Sequence, residues 1–254
     1  MIVALRSCAC HPGKLAMMEF FEPLPSLDAS GRADAGVVKA WRKTARQSLL
    51  RRRLAIDDVQ HARWSVAIHA HLLGALRNVA GMTIAVYWPY RREFDPRPLA
   101  AELAAKGAIC ALPVVATPKA PLVFREWREG APLVSGEHGI PVPAAGREVS
   151  PDVVLAPLIG FDTLGYRLGY GTGYFDRTLG ALGNRPVSVG VGFGVGRIDS
   201  IYPQPHDVPL DFIVTECGIC ASAAGGRLTS GGAKEMRAFG APCAPPSGGA
   251  RPLQ

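Results

Sequence analysis

Five short runs in this chain are dominated by apolar residues, several of them throughout rather than at alternate positions: TIAVYW (83–88), ICALPVV (109–115), VVLAPLIGF (153–161), VSVGVGF (187–193) and FIVTE (212–216). A strand with one face in water alternates apolar and polar residues, whereas a strand covered on both faces does not. Between these runs lie segments with helical spacing. Residues 37–54 and 57–78 read as helices, the second with Val59, Ala62, Val66, Ile68, Leu72, Leu73 and Leu76 as its apolar stripe. RPLAAELAAKG (97–107) is a helix stopped by Gly107, and YFDRTLGAL (174–182) is another. Strands interleaved with helices predict an α/β fold: a single domain with a mostly parallel central sheet flanked by helices. LVFREW (122–127) alternates and follows closely on the run before it, as a hairpin or edge strand does.

The two ends lack this pattern. Residues 1–36 show no sustained period and are rich in turn formers, so a poorly ordered leader is expected. Residues 217–254 are dominated by Gly, Ala, Pro and Ser and read as a flexible tail, which leaves 37–216 as the folded domain. No apolar run approaches the roughly 20 residues that span a bilayer, and the start lacks a signal-peptide core and cleavage pattern. Six cysteines among 254 residues do not make a disulfide framework, so a reducing, cytoplasmic setting is expected. The Cys217/Cys220 and Cys8/Cys10 pairs lack the usual partner spacing of a zinc site and read as incidental.

Net charge is +7, and its placement is uneven. KAWRKTARQSLLRRR (39–53) carries Lys39, Arg42, Lys43, Arg46, Arg51, Arg52 and Arg53 with no acidic residue among them. Such a helix suits nucleic acid, a membrane surface or a phosphorylated small molecule, or is simply a solvated face. Trp41 stands alone in it, so the interleaved aromatics that stack on bases are missing.

GYRLGYGTGYFDRTL (165–179) places Gly165, Gly169, Gly171 and Gly173 ahead of a helix start. Glycines let backbone N–H groups close on an anion, and the helix N-terminus adds partial positive charge. Arg167 can grip phosphate oxygens with its planar fork, and Asp176 in the first helical turn can hold Mg²⁺ against phosphate. G-x-G-x-G is one position short of the dinucleotide fingerprint, and no lysine follows to make a Walker loop. No Ser/His/Asp or Cys/His arrangement is recognisable.

The longer segment GFDTLGYRLGYGTGYFDRTL (160–179) resembles the signature of 5-formyltetrahydrofolate cyclo-ligases, in which R-L-G-x-G-x-G-Y-Y/F-D follows an apolar strand ending in G-F-D. The resemblance runs from about residue 39 to 216 and takes in YWPYRREFD (87–95), GIPVP (139–143) and HDVPLDFIVTE (206–216). It implies an ATP-dependent ring closure: the formyl oxygen of 5-formyltetrahydrofolate is phosphorylated, N10 attacks the activated carbon, and phosphate leaves. By the same resemblance Arg167, Leu168, Gly169, Tyr170, Gly171, Thr172, Gly173, Tyr174 and Phe175 form the ATP loop, and Asp176 and Asp207 hold Mg²⁺. Lys39 and Lys43, one helical turn apart, match the basic pair on the ATP phosphates, with Arg42 competing for the second role. Lys43 and Arg167 would act on the transferred phosphoryl group, and Trp88, Glu93, Tyr170 and Tyr174 would contact the folate. Thr172 replaces a lysine, and His138 an aromatic, found in some relatives. The expected enzyme is a monomer acting on small molecules, with no nucleic-acid or membrane partner. Two alternatives stand beside it: a sugar-phosphate isomerase or CoA-transferase-like enzyme using Glu93, and a non-catalytic nucleotide- or RNA-binding relative.

Overall fold

A computed structural model describes Ser26, residues 33–222, and the backbone of Thr229 and Ser230. Most of the expected leader and tail lies outside those residues. Helix α1 (Ala35–Leu54) begins where Asp34 accepts a hydrogen bond from Val37 N, and α2 (Asp58–Ala75) where Asp57 accepts one from Gln60 N. Each carboxylate satisfies a backbone donor that the first helical turn leaves unpaired. After β1 (Thr83–Ala85), α3 (Arg97–Ala105) leads to β2 (Ile109–Val114), which turns back into β3 (Val123–Glu126). A small hairpin, β4 (Leu133–Ser135) with β5 (Pro141–Pro143), precedes β6 (Glu148–Val149) and β7 (Val153–Pro157). Then come β8 (Gly160–Phe161), β9 (Arg167–Leu168), α4 (Tyr174–Ala181), β10 (Val187–Val191), β11 (Phe212–Thr215), β12 (Gly218–Ala221) and β13 (Thr229–Ser230).

The main sheet runs β13-β12-β11-β10-β7-β1-β2-β3-β6. Its centre, β11-β10-β7-β1-β2, is parallel, and antiparallel strands extend both sides. The fully apolar runs are the strands of that centre, as two-sided cover demands. On one face Ile84, Leu112, Leu155, Val189 and Val214 pack under Ile68 and Leu72 of α2 and Leu99 and Leu103 of α3. On the other face the smaller Ala85, Ala111, Val154 and Ala156 receive Leu179 of α4, with Phe175 at its edge. No described helix is long and apolar enough to cross a membrane.

Chain order along the parallel strands reverses between β1 and β7, since β2 lies on one side of β1 and β10 on the far side of β7. Crossovers leave in opposite directions there, so a crevice opens beyond the carboxyl ends of these two strands. That crevice is the cavity described below.

Four expectations need correction. The boundary at 216/217 falls inside the sheet, because β12 pairs with β11 from Thr215↔Gly218 to Phe212↔Ala221. The run at 153–161 is not one strand: the chain leaves the sheet at Pro157, and Gly160–Phe161 pairs with Arg167–Leu168 in a separate hairpin. Val59 and Val66 are 80% and 70% exposed, so the amino-terminal half of the expected α2 stripe faces water. That half docks instead through His61 and Trp64, whose rings lie 5.0 and 5.9 Å from the Phe193 ring. Cys220 is disulfide-bonded, a departure from the reduced chain expected above.

Candidate active site

The cavity has a volume of about 680 Å³ and gathers segments far apart in sequence. Its walls come from the Tyr87–Glu93 segment after β1, Pro113–Val115 at the end of β2, the β4–β5 hairpin, Pro157, and Arg167–Asp176. Helix α1 and the 206–207 turn close the remaining side.

The glycine loop is shaped by arginines. A Cβ on Gly169 would lie 2.7 Å from Arg167 Nη1, and Gly171, at φ +99°, would bring one to 3.1 Å from Arg46 Cζ. Side chains at either position would push a guanidinium away, which is a sharper reason for glycine than loop freedom alone. Gly173 then caps α4 in the left-handed conformation, so the loop runs straight into the positive end of that helix. Arg46 Nε donates to Gly169 O at 2.8 Å, tying α1 to the loop. Arg167 lies buried beneath it, donating to Asp176 Oδ2 at 2.8 Å, with its guanidinium 5.1 Å from the Phe175 ring centre. Burial pulls both arginines below their usual pKa range; at Arg46 the neighbouring Arg42 pulls the same way, while Asp176 and Asp207 oppose the shift at Arg167. Guanidinium groups stay charged regardless, so this end of the cavity is a site prepared for an anion.

Arg42 and Asp207 form the second ion pair at this end. Arg42 Nη2 and Nη1 reach Asp207 Oδ2 and Oδ1 at 2.5 and 3.2 Å, and Nε and Nη2 also donate to the carbonyls of Ile201 and Tyr202. Burial alone would raise the Asp207 pKa, but hydrogen bonds from Arg42 and Gln204 N, with the Arg42 charge, hold it below the usual range.

The opposite end is built around a buried carboxylate. The turn after β1 carries Arg91 and Arg92 at φ 48° and 58°, a conformation costing about 1 kcal/mol or more per residue. Arg92 anchors it to the start of α2 through Asp58 Oδ1 and Ile56 O. This bend returns Glu93 to the cavity wall, 6% exposed. Glu93 accepts from Tyr170 Oη at 3.0 Å, Tyr90 N at 2.9 Å and, more distantly, Arg53 Nη1 at 3.5 Å. Trp88 is half-buried beside it, with Arg97 stacked 4.5 Å from its ring centre and Trp127 edge-on. The β4–β5 hairpin reaches over the cavity mouth, where Glu137 accepts from Tyr174 Oη at 2.6 Å.

Of the residues singled out in the sequence, the cavity brings together Trp88, Glu93, Asp176, Asp207 and the whole of Arg167–Phe175. Lys39 and Lys43 are not among them: both are solvent-exposed and neither lines the cavity. The inward basic pair is Arg42 and Arg46, also one turn apart, because Trp41, Ala45 and Leu49 are the α1 residues that pack on Ile159, Leu168 and Ile201. The sequence reading gave Arg46 and Arg53 no role beyond the basic cluster, and it did not single out Tyr90 or Arg97. The register of Trp41, Ala45 and Leu49 was the available signal for the first of these.

A sequence model of the 5-formyltetrahydrofolate cyclo-ligase family matches residues 38–216. The chain belongs to this family. The family's cyclo-ligase from Mycolicibacterium smegmatis is 30% identical over 179 residues, covering 67% of this chain and 91% of the relative. The Escherichia coli cyclo-ligase is 32% identical over 144 residues, covering 54% of this chain and 79% of its own. Among solved structures, 5,10-methenyltetrahydrofolate synthetase from Aquifex aeolicus superposes with a TM-score of 0.62 at 28% identity, covering 72% of this chain and 94% of that one. The Mycoplasma pneumoniae synthetase shares the fold at 23% identity and a TM-score of 0.57, over 69% and 98% of the two chains.

Proposed function

We propose that this protein closes the ring of 5-formyltetrahydrofolate to 5,10-methenyltetrahydrofolate with hydrolysis of ATP. The observation that carries the reading is the two-ended cavity: guanidinium groups and a glycine loop at one end, a buried carboxylate and an indole at the other. Phosphoryl transfer asks a protein chiefly to position reactants and neutralise charge. Arg42, Arg46 and Arg167 with the loop N–H groups hold the triphosphate, while Glu93 and Trp88 hold the pterin. The γ-phosphoryl group passes to the formyl oxygen with release of ADP. N10 then bonds to the activated carbon and gives up its proton to solvent, and the C–O bond breaks as phosphate leaves. No protein nucleophile takes part. Glu93, which an isomerase or transferase would need as base or nucleophile, already accepts three hydrogen bonds.

A divalent cation fits this site in part. Among the described residues no group of three or more His, Cys, Asp or Glu is assembled for a metal. Mg²⁺, however, is commonly bound through one or two carboxylates plus substrate phosphates. Asp176 meets that need, since its Oδ1 takes only a 3.3 Å bond from Val208 N. Asp207 is committed through both oxygens to Arg42 and Gln204 N. Bound at Asp176, Mg²⁺ would offset charge on the phosphates.

The test is direct. Purified protein is mixed with 5-formyltetrahydrofolate, ATP and Mg²⁺, and methenyl absorbance and ADP are followed, with ATP-free and folate-free controls. Equal yields of methenyl product and ADP are expected; ADP without methenyl product overturns the reading.

A further inference from the structure

Arg53, near the carboxyl end of α1, does not line the cavity, yet it is 4% exposed and touches residues from both ends of it. Its Nη1 donates to Leu158 O at 3.1 Å and faces Glu93 Oε1 at 3.5 Å, while Nη2 donates to Tyr170 Oη at 2.7 Å. Arginine has no acceptor. Since the Tyr170 oxygen accepts from Arg53, its own proton is directed to Glu93 Oε1. The remaining partner of Glu93, Tyr90 N, is also a donor. Every group around this carboxylate therefore donates, an arrangement suited to the ionised form alone.

We propose that Arg53 is a positioning residue: it keeps Glu93 a carboxylate for the folate and, through Tyr170, fastens the nucleotide loop to the folate end. The proposal rests on the folate and ATP assignment above and goes beyond it by adding a residue that touches neither substrate. The charged and titratable groups facing Glu93 are Arg53 from α1, Tyr170 from the glycine loop, and Tyr87 at the end of β1, with Asp95 behind Tyr87. Burial pushes the Glu93 carboxyl above its usual range; Arg53, Tyr90 N and Tyr170 resist that push. Removing the one cation in the set leaves that push less opposed, so Glu93 holds a proton more readily and loses an acceptor.

The experiment compares wild type, Arg53→Met, Arg53→Lys and Tyr170→Phe. KM and kcat for 5-formyltetrahydrofolate are measured across about pH 5 to 9, a range that covers the upward shifts open to a buried carboxyl. Binding of 5-formyltetrahydrofolate without ATP is followed in parallel by tryptophan fluorescence. Arg53→Met should raise the folate KM on the order of tenfold at the acid end of that range, with most of the loss recovered at alkaline pH, as depletion of the ionised form requires. Arg53→Lys keeps the cation and should restore the wild-type pH profile. A loss in Arg53→Met that is equal at every pH, or no loss, overturns the proposal. If Arg53→Met does not fold, Tyr170→Phe decides: removing one donor should shift the same limb to higher pH by a smaller amount, and an unmoved limb overturns the proposal. Absence of folate binding and turnover in the wild type would instead defeat the functional assignment, so the two failures are distinct.

Discussion

The two basic faces of α1 carry the same kind of residue and do opposite things. Arg42, Arg46 and Arg53 point inward, each making hydrogen bonds to residues more than a hundred positions away, while Lys39, Lys43 and Arg51 stand in water. The contrast teaches that charge clustering alone does not define a binding surface. What selects a face is the apolar register beside it, Trp41, Ala45 and Leu49, because that register decides which charges are desolvated and pre-aimed. Fixed, partly dehydrated donors interact with an anion far more strongly than lysines that must first be ordered.

The contrast is best broken by substitution along the helix. Arg42→Ala should have the largest effect: a fall of about 10²–10³ in kcat/KM for ATP, with a stability loss of about 3–5 kcal/mol from stranding the Asp207 charge. The pair's side chains are 10% and 8% exposed, so solvent cannot compensate. Arg42→Ala/Asp207→Ala should regain part of the stability but not the activity, as a double-mutant cycle by thermal melting and kinetics would show. Arg46→Ala comes next, with a rise in the KM for ATP of about ten- to thirtyfold, the loss of one charge-assisted contact. Its melting temperature should stay close to wild type, because the bond it loses is to a loop carbonyl.

Acid should sharpen the same comparison. Asp207 is held below its unfolded value of about 3.9. Its contribution is therefore complete above about pH 4 and is lost as pH falls through the lower folded value. Asp207→Asn should flatten that acid limb in melting curves; an unchanged limb would assign it to other carboxylates. The smallest effects belong to the outward face. Lys39→Ala and Lys43→Ala should each change kinetics by less than about twofold and stability by within about 0.5 kcal/mol. A tenfold loss in either would return the phosphate contact to the lysines.

How far the sequence spoke for itself differs from element to element. The parallel centre of the sheet was legible because two-sided burial writes itself into every residue of a strand. The glycine loop was legible because its spacing and the helix behind it are local. The α1 register was not: on a helix this basic every face offers charges, and Arg42 meets its acid 165 residues later. Nor was the Arg53, Glu93 and Tyr170 contact, whose members lie 40 and 117 positions from Arg53. The outward-facing Val59 and Val66 misled for a related reason, since His61 and Trp64 contribute the contact surface that hydropathy credits to valine.

The seating of α1 has a dynamic consequence. Its apolar contacts form a patch of their own, Trp41, Ala45 and Leu49 on Ile159, Leu168 and Ile201, apart from the two clusters that hold the sheet together. A helix attached by a satellite patch opens at a lower free-energy cost than the domain unfolds. Each opening carries off Arg42, Arg46 and Arg53 in one event while the strands stay paired. Amide exchange along α1 should therefore outrun exchange in the central strands, and a bound triphosphate should slow it in proportion to occupancy. Heating should therefore cost catalytic competence, through undocking of this one helix, before the domain as a whole unfolds.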